Sequence, residues 1–444
     1  MKKKQFIILA AVIAALAALL VLLTVFGGKN TEKQPNEDSE KTSISIMNFN
    51  DDVVRYTVEN NNGSSSFVKK DSKWTVESSP DIELDQNYVT ASVAKASFMY
   101  AKSLVEKNSG KLSGYGFDTP SATVTLEAAA GNKAVIRFGK KTATESGYYA
   151  VVNDSSDVYI VETGSVEKVA GNLDNFRIRN LYNFDYSSVT HFSLESDKYT
   201  INIGKRTKND PNQSNLSSWV METPYKKPVN SNIFEENVLK VINFTVVDFT
   251  DDNPSDYTKY GLNPPKYTIS VLAEGKSFTI YLGSDAGSGK IYARIKDKPN
   301  VFTISSDSVK YKDFTPVYLL ESLVFVRNIS AVDSIDFKSD NLYHFSSANG
   351  RFFADGKETD EKNFRKMYSS LISAVISGEA DGSKIGAEIC SFTFNYNTGT
   401  PSETVVYYEY GDMYAAVKIN GKIEFYVKRK FAEDIVESVK NLVQ

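Results

Sequence analysis

The sequence predicts an α+β protein of repeated modules, each an antiparallel β-sheet with one long helix, behind an N-terminal transmembrane helix. Three observations predict it. A box of aromatic, Gly, apolar, turn and Pro residues occurs as Tyr115-Gly116-Phe117-Asp118-Thr119-Pro120 and again, 145 residues on, as Tyr260-Gly261-Leu262-Asn263-Pro264-Pro265. Its surroundings repeat as well: Trp74 and Trp219 upstream, Gly139 and Gly283 at the ends of Thr-rich strands, then Tyr149-Ala150 and Tyr292-Ala293, all displaced by 143 to 145 residues. Solenoids repeat every ~20–50 residues, so a period this long marks duplicated domains. Finally, Lys2, Lys3 and Lys4 precede an apolar run from Phe6 to Phe26.

That run is 21 residues without a charge. At about 1.5 Å per helical residue it covers the roughly 30 Å hydrocarbon core of a bilayer. The lysines on its near side predict a cytoplasmic N-terminus and an extracytoplasmic remainder. A cleaved signal peptide is the alternative, because Val25 and Gly27 are small enough for a cleavage site. The anchor is assigned to 1–28. Residues 29–43 read as a flexible stalk, since Gly27 to Lys41 carries no apolar side chain and cannot offset its ordering entropy.

Three modules follow, over 44–186, 187–329 and 330–444. In the first, Val53, Tyr56 and Val58, then Phe67-Val68 and Trp74-Thr75-Val76, predict short antiparallel strands with a turn at Asn62-Gly63. Val89, Val93, Ala96, Tyr100 and Leu104 are spaced as one face of a helix. After the box come strands over 122–128 and 134–138, a hairpin over 148–152 and 158–161, and a short helix over 165–170. The second module repeats this order from Val189, with a helix on Phe234, Val238, Val241 and Thr245 capped by Ser231. Its strands over 267–272 and 277–282 flank a Glu274-Gly275 turn, and a hairpin over 291–295 and 301–304 closes it. The third begins at Val332 and is more divergent: Phe352 replaces the tryptophan, Phe364, Tyr368, Leu371 and Val375 mark its helix, and Phe431 to Val439 a terminal one. Ile385-Gly386 stands where the box belongs, without the proline.

Composition narrows the function classes. With 444 residues the chain exceeds one core, and about three domains are expected. The net charge of −4 includes the three N-terminal lysines, and an acidic body is a poor binder of nucleic acid. A single cysteine, Cys390, excludes an intrachain disulfide and a cysteine-built metal cluster. His191 and His344 fall in different modules and form neither a zinc set nor a nucleophile–base pair. Gly283 to Lys290 resembles a phosphate loop but lacks its first Gly, and Ile291 stands where Ser or Thr belongs, so it reads as a hairpin loop. Lys226-Lys227 and Lys428-Arg429-Lys430 read as solvated faces. No catalytic, cofactor-binding or metal-binding residue is assigned. The candidate residues are those of the box, Tyr115, Gly116, Pro120, Tyr260, Gly261 and Pro265, together with Trp74 and Trp219. Gly supplies a backbone conformation closed to other residues and Pro fixes the exit into a strand; the tyrosines are candidate partner contacts and the tryptophans core anchors.

The anchor, the boxes, and the Thr-Val-Thr-Leu and Thr-Ile-Ser-Val strands with their Tyr-Ala pairs resemble a bacterial family catalogued as domain of unknown function 4340. The resemblance implies an accessory role beside ABC transporters of the gliding-motility type and carries no catalytic residues. The expectation is therefore a non-enzymatic, membrane-anchored extracytoplasmic component of an ABC-type transporter or envelope assembly, partnered by the membrane and by transporter subunits and not by nucleic acid. A cell-wall or carbohydrate-binding array using exposed Tyr and Trp is the alternative, and an envelope hydrolase with a carboxylate pair is a third reading.

Overall fold

The computed structural model describes residues 43–182, 184–207 and 217–444. The predicted anchor over 1–28 and all but the last residue of the predicted stalk over 29–43 lie outside the described residues. Among the described residues no helix is long and apolar enough to cross a membrane.

Among the described residues antiparallel β-sheet dominates, in three large sheets of one strand order and one two-stranded sheet. Across the first sheet the strands run Lys73–Val76, Gly63–Lys70, Val53–Asn60, Ala122–Ala128, Lys133–Lys141, Gly147–Val152, Val158–Glu162 and Ser103–Glu106. Its centre is thus the pairing of the first strand with the one that follows the box, and its far edge is the strand that precedes the box. The second sheet repeats the order around Val189–Glu195 and Tyr267–Ala273, and the third around Val332–Lys338 and Glu388–Tyr396. Each of these two gains an outer strand, Lys227–Pro228 and Lys357–Thr359. Two compact units, divided between Arg177 and Ile178, contain the large sheets: the one up to Arg177 holds the first, and Ile178–Gln444 the second and third.

Strand alternation dictates where each core lies. In Ala122–Ala128 every second side chain is buried, because successive residues point to opposite faces. On the buried face Tyr56, Phe67, Val124, Leu126 and Ile136 meet Val89, Val93 and Ala96 of the helix Gln86–Ser97. Asp85 starts that helix by accepting a hydrogen bond from the Tyr88 N–H at 2.9 Å. The helix then ends at Ser97 and does not run on to Leu104 as its spacing predicts. Tyr100–Ala101 pairs with Ile44–Ser45, and Ser103–Glu106 pairs with Val158–Glu162 as the edge strand. Cross-strand hydrogen bonding has overridden a helical period that ran on by coincidence.

The second module departs further from the expected long helix. Ser231–Asn237 is only seven residues, followed by a 3₁₀ turn over Leu239–Val241. Its N-cap is Asn230, whose side chain accepts from the Ile233 N–H at 3.1 Å, and not Ser231. At the other end the Asn237 side chain donates to the Ile233 carbonyl at 2.9 Å. Phe234 and Val238 are buried as the spacing requires, but Val241 is exposed and Thr245 lies beyond the helix. In the third module Glu361–Ile372 buries Phe364, Tyr368 and Leu371 and stops short of Val375. A second long helix, Arg429–Val443, packs beside it, joined through the Ser370 and Ser438 hydroxyls at 2.6 Å. The first turn also shifts by one residue: Asn60 pairs with Gly63, so Asn61 and Asn62 make the bend.

Candidate functional site

Both boxes fold alike. Tyr115 and Tyr260 each end a 3₁₀ turn, Leu112–Tyr115 and Thr258–Tyr260, and the following Gly116 and Gly261 take left-handed φ of 86° and 69°. Side-chain-bearing residues rarely adopt that conformation. The turn also lies on the strand that leaves the sheet centre. A Cβ on Gly139 would stand 2.2 Å from the Tyr115 carbonyl oxygen, and one on Gly283 would stand 2.1 Å from that of Tyr260. Backbone thus rests directly on backbone. Phe117 and Leu262, one residue past each glycine, are buried in small satellite clusters with Val151 and Val158, and with Val301. Pro120 and Pro265 are half-buried two residues before their strands begin.

The tyrosines reach a carboxylate in each case. Tyr115 donates its hydroxyl to Glu106 at 2.8 Å, and Tyr260 donates to Asp251 at 2.9 Å. Each hydrogen bond holds its acid below the ordinary carboxylate range, helped by Ser109 at Glu106 and by Lys259 at Asp251. The ring centroids of Tyr115 and Tyr149 are 4.9 Å apart, those of Tyr260 and Tyr292 5.0 Å. Sequence reasoning did not single out Glu106 and Asp251. The signal was present: they end equivalent edge strands and stand 145 residues apart, the displacement of the tyrosines themselves. The arrangement fastens an edge strand to the middle of its sheet through a turn, a ring and a carboxylate.

In the third module a 3₁₀ turn, Gly382–Lys384, also precedes the segment, but the next residue, Ile385, is extended at φ −77° where the boxes have a left-handed glycine. The Gly386 N–H donates to the Glu409 carbonyl at 2.7 Å, and the Glu409 N–H to that of Ala387 at 2.8 Å. Tyr410, Tyr414 and Tyr426 cluster nearby, with centroids 5.2 and 4.8 Å apart.

Trp74 and Trp219 are 4% and 3% exposed. Gln86 clasps the backbone of Trp74 at 2.8 and 2.9 Å. The Trp219 indole N–H donates to Glu235 at 3.1 Å, and its ring lies edge-on to Phe234. Neither indole offers an open face to a sugar. His344 pairs with Asp336 on the surface at 2.8 Å, and His191 lies against Thr190. Burial pushes the Cys390 thiol up to about 12. Among the described residues no group of three or more His, Cys, Asp and Glu is placed to hold a metal ion. Gly283 to Lys290 is a hairpin whose turn residues Ser288 and Gly289 have φ of 53° and 71°.

Of the Lys226-Lys227 pair read as a solvated face, Lys226 is exposed as expected and Lys227 is half-buried. Lys227 lies in a cleft of about 440 Å³ between the second and third sheets, both within the unit Ile178–Gln444. Its ammonium donates to the Val324 carbonyl and lies 5.3 Å from the centroid of Phe425. Across the cleft Arg327 and Glu403 form a bidentate ion pair at 2.5 and 2.6 Å. Burial lowers the Lys227 pKa to about 8; Arg327 pushes the same way, while Glu424 and Glu403 oppose. A lysine depressed in the folded state binds fewer protons than in the unfolded chain between pH 8 and its ordinary value near 10.5. The unfolding free energy therefore rises with pH from about 8 to 10, by up to roughly 3 kcal/mol. Lys227→Met is expected to flatten that rise in urea titrations, and acetic anhydride labelling should show Lys227 half-reactive near pH 8. An unchanged slope in the variant would remove the buried amine from the account.

Three sheets of one strand order, two of them fastened by the same tyrosine–carboxylate–glycine lock, define a tandem-repeat protein of β-sheet modules. Residues 74–218 and 219–384 match the family model described as Domain of unknown function (DUF4340), and the chain belongs to that family. No curated protein matches the chain. Each matched segment runs from the neighbourhood of a paired tryptophan, so the family unit is out of step with the sheet: it starts in the third strand of one and takes in the first strands of the next.

Proposed function

We propose that the chain is a non-enzymatic, membrane-anchored extracytoplasmic accessory component of an ABC-type transporter or envelope assembly, crossing the membrane once with its N-terminus in the cytoplasm. The observation that carries the reading is the locked box. The side chains that the modules share direct their hydrogen bonds at one another and at their own sheet, so what is repeated is a rigid surface and not a reactive group. A rigid repeated surface suits docking, because little conformational entropy remains to be lost on binding. The lysine-led apolar run from Phe6 to Phe26 supports the anchor. The resemblance to a family that accompanies ABC transporters supports the choice of partner.

The test is capture of the full chain, tagged at its C-terminus, from gently solubilised membranes. Enrichment of an ABC permease or ATPase subunit over an untagged control is the expected outcome. Repeated recovery of the chain with neither subunit above background would sink the proposal.

A further inference from the structure

The first module has a cleft of about 400 Å³ beside the Val53–Asn60 hairpin end and the turn after the helix Thr163–Val169. Asn60, Asn62, Asn172 and Asn175 line it, with Tyr148 and Glu167. The frame is fixed: Asn60 donates to the Ala170 carbonyl at 3.0 Å and accepts from the Asn62 N–H at 2.9 Å, and Tyr56 donates to the Val169 carbonyl.

The duplication supplies an internal comparison. Residues 143 positions later occupy the same elements of the second module: Val166 and Val309 are buried alike, as are Phe176 and Leu319. There Gly171 is replaced by Phe314, Asn172 by Thr315 and Asn175 by Tyr318. Phe314 packs against the second core, its ring 4.6 Å from that of Tyr318, and Thr315 caps its short helix by accepting from the Tyr318 N–H at 3.3 Å. Asn172 stands at the matching cap position and makes no such bond. The position that Gly171 leaves open in the first copy is thus taken in the second by the half-buried ring of Phe314, with Tyr318 exposed beside it, while amides rim it in the first.

We propose that this cleft of the first module binds an uncharged glycan. With Asn60 committed to the frame, the amides of Asn62, Asn172 and Asn175 each offer a donor and an acceptor side by side, which matches vicinal sugar hydroxyls. Tyr148 adds a half-buried ring, and aromatic rings with a few placed polar groups are what small-ligand sites use for orientation. No lysine or arginine lines the cleft and Glu167 is its one carboxylate, so neither an anion nor a metal cation is favoured. The site owes nothing to the tryptophans and nothing to the transporter reading.

The experiment uses the full chain in a detergent without a sugar headgroup, titrated by calorimetry with chitotetraose, maltotetraose and tetraglycine. Saturable binding of at least one sugar is expected, with Kd about 1 mM or tighter, values usual for weak specific sites. Gly171→Phe with Asn175→Tyr, which installs the second module's side chains, should weaken it by roughly tenfold or more. The atoms nearest a Cβ on Gly171 are Oδ1, Cβ and Cγ of Asn175, at 2.8, 3.0 and 3.0 Å, and the same variant replaces Oδ1. Asn175→Ala, which removes an amide without filling the cleft, should weaken binding several-fold and guards against a folding defect in the double variant. No binding of either sugar at about 10 mM overturns the proposal. So does binding untouched by both variants, and so does saturation by tetraglycine alone, which would make the cleft a peptide site.

Discussion

Gly283→Ala is expected to destabilise the second module by about 3 kcal/mol or more, the range of overpacking against atoms that cannot move aside. The methyl group would be built 2.1 Å from the Tyr260 carbonyl oxygen and 3.0 Å from Cγ of Leu262. Because the first obstacle is backbone, relief requires the whole turn to lift, and that breaks the Tyr260 to Asp251 hydrogen bond and opens the satellite cluster around Leu262 and Val301. Gly139→Ala should do the same in the first module, where the Tyr115 carbonyl is 2.2 Å away. The control is Gly275→Ala. That glycine has φ of 72° but open space around its missing side chain, so it should cost only about 1 kcal/mol. Urea midpoints of the three variants decide the matter. If Gly283→Ala costs no more than the control, the box is an ornament of the loop and not a lock on the sheet.

The lock was half legible in the sequence, and the reason is physical. Duplication preserves spacing, so residues that fold alike in two copies announce themselves through a shared displacement. Tyr115 and Tyr260, Gly139 and Gly283, and the order of strands could all be read that way. The strand expected over 122–128 stands at Ala122–Ala128, and the expected Glu274-Gly275 turn has both residues at positive φ. Lys227, Arg327 and Glu403 are different. Arg327 and Glu403 are 76 residues apart, and no copied motif marks either of them. Only the fold brings them together, and a lysine beside a second lysine reads as solvent-facing until a neighbouring sheet covers it. The helix errors share one cause as well. Tyr100 and Leu104 keep the helical period, yet their backbone is held by Ile44–Ser45 and Val158–Glu162, partners that local spacing does not reveal.

Glu403→Ala is expected to cost about 3–5 kcal/mol, the usual loss when one member of a buried ion pair is left alone. The Arg327 and Glu403 side chains are 9% and 20% exposed. Besides the two bonds between them, Tyr396 donates to Glu403 and accepts from Arg327 Nε at 3.0 Å, and Tyr368 donates to the Arg327 carbonyl at 3.1 Å. Burial alone would raise the Glu403 pKa, but the hydrogen bonds and charge of Arg327 outweigh it and hold the acid below the glutamate range. The stability this contributes is fully present above the unfolded pKa and is lost as pH falls through the lower, folded one. At neutral pH, therefore, Glu403→Ala strands a guanidinium in the cleft wall. The pair Arg327→Met with Glu403→Leu removes both charges and should come within about 1–2 kcal/mol of the native chain, since apolar replacements often match buried ion pairs. A double-mutant cycle by urea denaturation at pH 7 measures the coupling, and repetition at acid pH should shrink it. A Glu403→Ala loss below about 1 kcal/mol would place the pair among screened surface contacts. The cleft wall would then be soft, and the Lys227 amine beside it would lose one of the three charges that, after burial, bear on its proton affinity.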